Sequence, residues 1–248
     1  MKDKQNIYDN ANFFAEYSAM RSQQINANEL IEIPTIKKML PDLAGKTILD
    51  LGCGAGGMAK YFAECGAKEV VGIDISEKMI ECARNETPQT NITYLVLPME
   101  EITSLNQKFD FVFSSLAFHY VADFNKLCQD MASLLKPNGM LLFSQEHPNT
   151  TAPILGENVE KRYEIEGKTY WVLSDYNNVG PRSRLWNNEY VVKFHRNFET
   201  IINNLIDNGF EILRIEESKA DERAIALQPK YTNQQHRPYF LFVKALKK

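Results

Sequence analysis

The sequence has few cysteines and no pattern that pairs them. Cys53, Cys65, Cys82 and Cys128 are the only four in 248 residues, and no two form a C-x-x-C step. A disulfide framework and a thiolate zinc site are therefore excluded, and free thiols in a reducing, cytoplasmic setting are expected. Positive charge is also short: 28 Lys and Arg stand against 32 Asp and Glu, for a net charge of −4. With no long basic run, the chain lacks the electrostatic footprint of a nucleic-acid partner. No apolar run is long enough to cross a bilayer, and the opening "MKDKQNIYDNANFF" has no apolar signal core, so no membrane partner is expected. Internal repeats and low-complexity tracts are missing too.

What is present is an alternation of strand and helix patterns from Thr47 onward. "TILDLG" reads as a strand, followed by Met58, Tyr61, Phe62 and Cys65 at helical spacing and a closing Gly66. "EVVGID" is a second strand, after which Ser76 caps a helix carrying Met79, Ile80 and Ala83. "ITYLVL" and "FDFVFSS" are the third and fourth. Asp123 opens a helix with Phe124, Leu127, Cys128, Met131, Leu134 and Leu135 on one face, and "KPNG" turns it into a fifth strand, "MLLFS". Such a rhythm predicts an α/β doubly wound, mostly parallel sheet.

The rhythm breaks between Glu146 and Asn197, a stretch holding Trp171, Trp186, His147 and His195. This is read as an insertion built partly from short strands. A helix around Phe198, Ile201, Ile202, Leu205 and Ile206 follows, and then "FEILRIEES" and "PYFLFVKAL", with little helical pattern between them, suggest an antiparallel pair. One domain, 1–248, is thus expected: a helical cap (1–44), a core (45–145), the insertion (146–197), and a final helix with its strand pair (198–248).

"ILDLGCGAGG" contains a G-x-G-x-x-G at Gly52, Gly54 and Gly57, a pattern shared by two ligand classes. Asp50 separates them. A carboxylate there would oppose a dinucleotide pyrophosphate but suits the ammonium of a methionine tail; the alternative is a carboxylate bonded to turn amides. With "LDLGCGAG", "VVGIDIS", "FDFVFSSLAFHYV" and "LLKPNGMLLFS" in order, the chain resembles the class I S-adenosylmethionine-dependent methyltransferases that act on small molecules, of the methyltransferase type 11-like kind. The resemblance implies a Rossmann-like sheet of seven strands, the last antiparallel, with a lid inserted after strand 5. It also implies S-adenosyl-L-methionine as cofactor.

Carried over residue by residue, the resemblance places Asp50, Gly52, Cys53 and Gly54 at the methionine end, and Asp74 on the ribose hydroxyls. It puts Ile75 and Met79 against the adenine, Met99 with Glu100 or Glu101 at the adenine edge, and Ser114 and Ser115 beside the sulfonium. On an N-terminal helix, Arg21 has a use at the methionine carboxylate, and Tyr17 can help close the pocket, while Phe13 and Met20 pack on the sheet.

For the acceptor, an oxygen, nitrogen or carbon atom of a small molecule is expected. The Asn/Asp-Pro-Pro-aromatic run of nucleic-acid amino-methylating enzymes is replaced here by "SSLAF". Ser114 and Ser115 cannot hold the magnesium of catechol-type enzymes, so no metal is expected. His119 in "LAFHYV" is the candidate catalytic base, against a histidine that only shapes the pocket. Tyr120, His147, Trp186 and His195 are candidate substrate contacts, against turn chemistry for His147 and lid core for Trp171, Trp186 and Tyr190. A non-catalytic S-adenosylmethionine-binding regulatory module is the alternative function, a dehydrogenase a distant third. Monomer and homodimer both fit.

Overall fold

The computed structural model describes residues 6–22, 25–154, 162–186 and 189–248. The chain opens with a 3-10 turn, Ile7–Asp9, and helix α1, Ala11–Ser22. A π-helical turn, Asn28–Glu32, runs directly into α2, Ile33–Met39. Strand and helix then alternate through β1 (Thr47–Leu51), α3 (Gly57–Glu64), β2 (Glu69–Asp74), α4 (Glu77–Glu86), β3 (Ile92–Val96), β4 (Phe109–Ser115), α5 (Phe124–Leu134) and β5 (Leu135–Glu146). After a short α6 (Pro148–Thr151) come two antiparallel ribbons, β6 (Arg162–Ile165) with β7 (Lys168–Trp171), and β8 (Gly180–Trp186) with β9 (Glu189–His195). Helix α7 (Phe198–Asp207), strand β10 (Phe210–Glu217), helix α8 (Glu222–Leu227) and strand β11 (Phe240–Lys247) complete the chain.

Seven strands form one sheet in the order β10-β11-β5-β4-β1-β2-β3. Pairing is parallel from β5 across to β3, while β11 runs antiparallel to both neighbours. This is the seven-stranded, mostly parallel sheet with an antiparallel last strand expected from the motifs. β1 is central and buried along its whole length, with Leu49 and Leu51 facing α5 and α7 and Ile48 facing α2 and α3. Because β1 has β2 on one side and β4 on the other, the chain reverses winding direction here. The crevice at the carboxyl ends of β1 and β4 is thus where an open α/β sheet takes its ligand.

The helix starts follow their caps. Ser76 Oγ accepts from Met79 N at 3.1 Å, Asp123 Oδ1 from Lys126 N at 2.9 Å and Asn197 Oδ1 from Thr200 N at 2.9 Å. Two connections are made by short helical pieces, and the second differs from the sequence reading. The step from β3 to β4 is a 3-10 stretch, Met99–Leu105, too short for an amphipathic helix. Between β10 and β11, where little helix is expected, lie α8 and a 3-10 stretch, Pro229–Gln235. α8 buries only Ala224, so it depends on its Asp221 cap rather than on an apolar stripe that a sequence pattern would reveal.

Candidate active site

A cavity of about 1850 Å³ lies along the carboxyl edge of the sheet, from the β1–β2 turn to the end of β5. At the first end, the turn after β1 is anchored by Gly52 N and Cys53 N, both donating to Ile73 O at 2.9 Å. Gly52 has φ +71°, and a Cβ there would lie 2.6 Å from the Ala117 Cβ, so no other residue fits. Asp74, ending β2, receives Gly54 N at 3.0 Å and Ser76 N at 2.9 Å. A carboxylate has about four acceptor positions, so capacity remains for further donors.

Asp50 is 1% exposed, and its Oδ2 has no hydrogen-bond partner. Burial, with the Asp74 charge adding to it, pushes its carboxyl up to about 8. Turn amides do not satisfy that oxygen, which answers one of the two sequence readings. A buried, unbonded carboxylate beside a second acid is complementary to a cation.

The N-terminal segment covers this end. Asn6 Nδ2 donates to Ile75 O at 3.2 Å, and Asp9 accepts from Ser76 Oγ at 2.6 Å and Lys78 N at 3.2 Å. Ile7 and Tyr8, between these contacts, line the cavity. Glu32, buried at the entry to α2, accepts Ser115 Oγ at 2.6 Å and also receives Ser144 Oγ, tying the segment to the ends of β4 and β5.

The other end is roofed by the β8–β9 ribbon. Trp186 packs edge-on against Phe13 with ring centroids 5.2 Å apart, and the Lys193 Nζ lies 5.1 Å from the Trp186 ring. Lys193 Nζ also donates to Glu146 Oε1 at 2.6 Å. Burial is the largest influence and tends to raise the Glu146 carboxyl, but Lys193, His119 and Arg184 together hold the group below its ordinary value. His119 is buried beneath, its Nδ1 accepting from Glu146 N at 3.4 Å, and burial pushes its pKa down to about 3. Tyr120 stacks on His119, and its hydroxyl lies 3.4 Å from that of Tyr8.

Known proteins resemble this chain in sequence and fold. A family model described as a methyltransferase domain matches residues 49–143. The crystal structure of an S-adenosylmethionine-dependent methyltransferase from Mesorhizobium loti superposes with a TM-score of 0.79 at 35% identity, covering 90% of this chain and 98% of that one. This chain belongs to that family. It is an S-adenosylmethionine-dependent methyltransferase, and S-adenosylmethionine is its cofactor. An uncharacterized protein of Haemophilus influenzae is 40% identical over 100% of this chain and 99% of its own. A Coxiella burnetii protein named ubiquinone biosynthesis O-methyltransferase is 38% identical over 112 residues, 44% of this chain and 47% of its own.

Most residues singled out in the sequence meet in the methyltransferase cavity. Asp50, Gly52, Cys53, Gly54, Asp74, Ile75, Met79, Met99, Glu100, Ser115, His119, Tyr120 and Trp186 all line it. Three do not. Ser114 is fully buried and donates to Leu51 O at 2.8 Å, which spends its hydroxyl inside the sheet. His147 caps α6, accepting Asn149 N at 3.1 Å, and pairs with Glu217 at 2.9 Å. His195 bonds Thr151 Oγ1 at 2.8 Å and Tyr176 O at 2.9 Å. His147 thus ties α6 to β10, His195 ties the β8–β9 ribbon to α6 and the Tyr176 segment, and neither lines the cavity. The side chains of Tyr17, Met20 and Arg21 lie outside the described residues. Glu32, Asp9 and Lys193 went unnoticed in the sequence, where each reads as ordinary surface charge. Among the described residues no cluster of three His, Cys, Asp or Glu side chains is placed to hold a metal, and no helix is long and apolar enough to cross a membrane.

Proposed function

We propose that this methyltransferase acts on an oxygen, nitrogen or carbon atom of a small molecule in the cytoplasm, releasing S-adenosylhomocysteine. The observation that carries the reading is the single cavity running from Asp50 and Asp74 to Glu146 beneath the β8–β9 ribbon. Its volume suits a nucleoside cofactor plus one small molecule, and the β8–β9 ribbon roofs one end of it.

S-adenosylmethionine, when bound, supplies an activated sulfonium methyl for in-line displacement. Asp50 receives the methionine ammonium, and Asp74 the ribose hydroxyls through its remaining acceptor positions. Ile75, Met79 and Met99 give an apolar wall for the adenine, with Glu100 at its edge. The N-terminal segment and the ribbon exclude water and align the acceptor.

His119 fits a positioning role better than that of a base. With Nδ1 accepting the Glu146 amide, the ring proton belongs on Nε2, which then donates towards the acceptor. A ring pushed down to about 3 also takes up a proton poorly at neutral pH. Glu146, held ionised by Lys193, is the carboxylate at that end.

The test is a melting measurement followed by turnover. S-adenosylmethionine and S-adenosylhomocysteine should raise Tm and NAD should not, and a small-molecule metabolite fraction should release S-adenosylhomocysteine. Turnover confined to fractions containing protein or nucleic acid would overturn the small-molecule acceptor.

A further inference from the structure

We infer that the acceptor carries an anionic group, a carboxylate or a phosphate, gripped by Arg184 and Arg237 at the β5 end of the cavity. The inference rests on the small-molecule reading above and narrows it to one substrate class.

The register of the β8–β9 ribbon places Arg184, Trp186 and Lys193 on one face, and all three line the cavity. Arg237, in the turn before β11, reaches the same space. Among the described residues lining this end, Glu146 is the one carboxylate set against these three cations, and its close ion pair is with Lys193. Arg184 donates to Pro153 O at 2.6 Å. The Arg237 guanidinium lies 4.0 Å from the centroid of the Trp171 ring, and its Nε is buried without a hydrogen-bond partner. Among the described residues neither guanidinium has an ion-pair partner.

Both side chains are also partly withdrawn from water, and burial lowers the pKa of each. Glu146 offsets this only from a distance, since it makes no close ion pair with either guanidinium, and the remaining cost is relieved when an anion arrives. Guanidinium is the group suited to this task, since its planar fork matches carboxylate and phosphate oxygens two at a time. Anchoring the anion here directs the rest of the acceptor past Trp186 and Tyr120 towards the cofactor.

The test uses protein saturated with S-adenosylhomocysteine, titrated with benzoate, phenyl phosphate and neutral benzamide. The ring is common to all three, so the comparison isolates the charge. At least one anion should bind tenfold or more tighter than benzamide, equivalent to about 1.4 kcal/mol, and raised salt should weaken it. Benzoate against phenyl phosphate tells which oxyanion is preferred. Arg184→Gln with Arg237→Gln should abolish the preference while S-adenosylhomocysteine affinity stays within about twofold. If the double variant does not fold, Arg184→Lys and Arg237→Lys keep the charge but lose the fork, and each should weaken the preferred anion severalfold. Equal binding of benzamide, no response to either anion, or an unchanged preference in the variants would overturn the inference. Loss of S-adenosylhomocysteine binding by the unmodified protein would instead strike at the cofactor assignment, so the two failures are distinguishable.

Discussion

At the β1–β2 edge the cavity is acidic and built from nearly continuous chain, with Asp50, the glycine turn and Asp74 following one another through a strand, a turn, a helix and a strand. At the β5 edge it is basic and assembled from remote pieces: Glu146 from the sheet, Arg184 and Lys193 from a ribbon, Arg237 from a turn before the last strand. On the proposed reading, the acidic end serves a ligand with fixed chemistry, an ammonium and two hydroxyls, and needs rigid backbone. The basic end would serve the acceptor, and it sits on inserted elements that can differ without disturbing the sheet.

The comparison breaks most sharply at Asp74. Asp74→Ala removes the acceptor of two turn amides and of the ribose hydroxyls, and cofactor affinity should fall by about 2–3 kcal/mol in titration calorimetry. An unchanged affinity in a folded variant would remove Asp74 from the site.

Asp50 sharpens the contrast through pH. In the free protein its carboxyl is protonated below about 8. An ammonium stabilises the ionised form, so binding releases a proton and affinity rises with pH up to that value. The slope should approach tenfold per unit, about 1.4 kcal/mol, with the released proton visible as a buffer-dependent heat. Asp50→Asn should flatten the profile. The folded-state pKa is raised, so the free protein loses stability as pH rises from the ordinary carboxylate range to about 8, because there only unfolding lets the carboxyl ionise. The same variant should therefore raise the Tm of the free protein at neutral and alkaline pH while weakening the cofactor.

Trp186 probes the other end and should have the smallest effect on the cofactor. Trp186→Ala loses the roof between Phe13 and Lys193, and turnover on the acceptor should fall while cofactor affinity stays within about threefold, roughly 0.7 kcal/mol. A large loss of cofactor affinity would merge the two ends into one unit.

The acidic end was legible because its residues share a local pattern: a buried strand, a turn that admits only glycine at Gly52, and a carboxylate ending the next strand. The sheet was legible for the same reason, since alternating apolar runs and caps at Ser76, Asp123 and Asn197 are short-range signals. The basic end was not. His147 and His195 look in sequence like any histidines near a ligand edge, and only the fold shows their ring nitrogens engaged with α6, Glu217, Thr151 and Tyr176. Glu32 escaped notice because its partners, Ser115 and Ser144, lie far along the chain. α8 escaped because a single buried alanine leaves no periodicity.

β11 has a bearing on how the sheet comes together in time. It is an interior strand, hydrogen-bonded to β5 from Phe240 opposite Glu146 to Leu246 opposite Met140, and to β10 on its other side. Everything between β5 and β11 in sequence, both ribbons and α7 included, forms one long excursion that must close before those bonds exist. Until then β5 presents a bare ladder of amides and carbonyls beside the buried Leu141 and Phe143, an adhesive edge of the kind that recruits other chains. The slow, long-range pairing of β11 is thus what turns an aggregation-prone parallel half-sheet into a closed one.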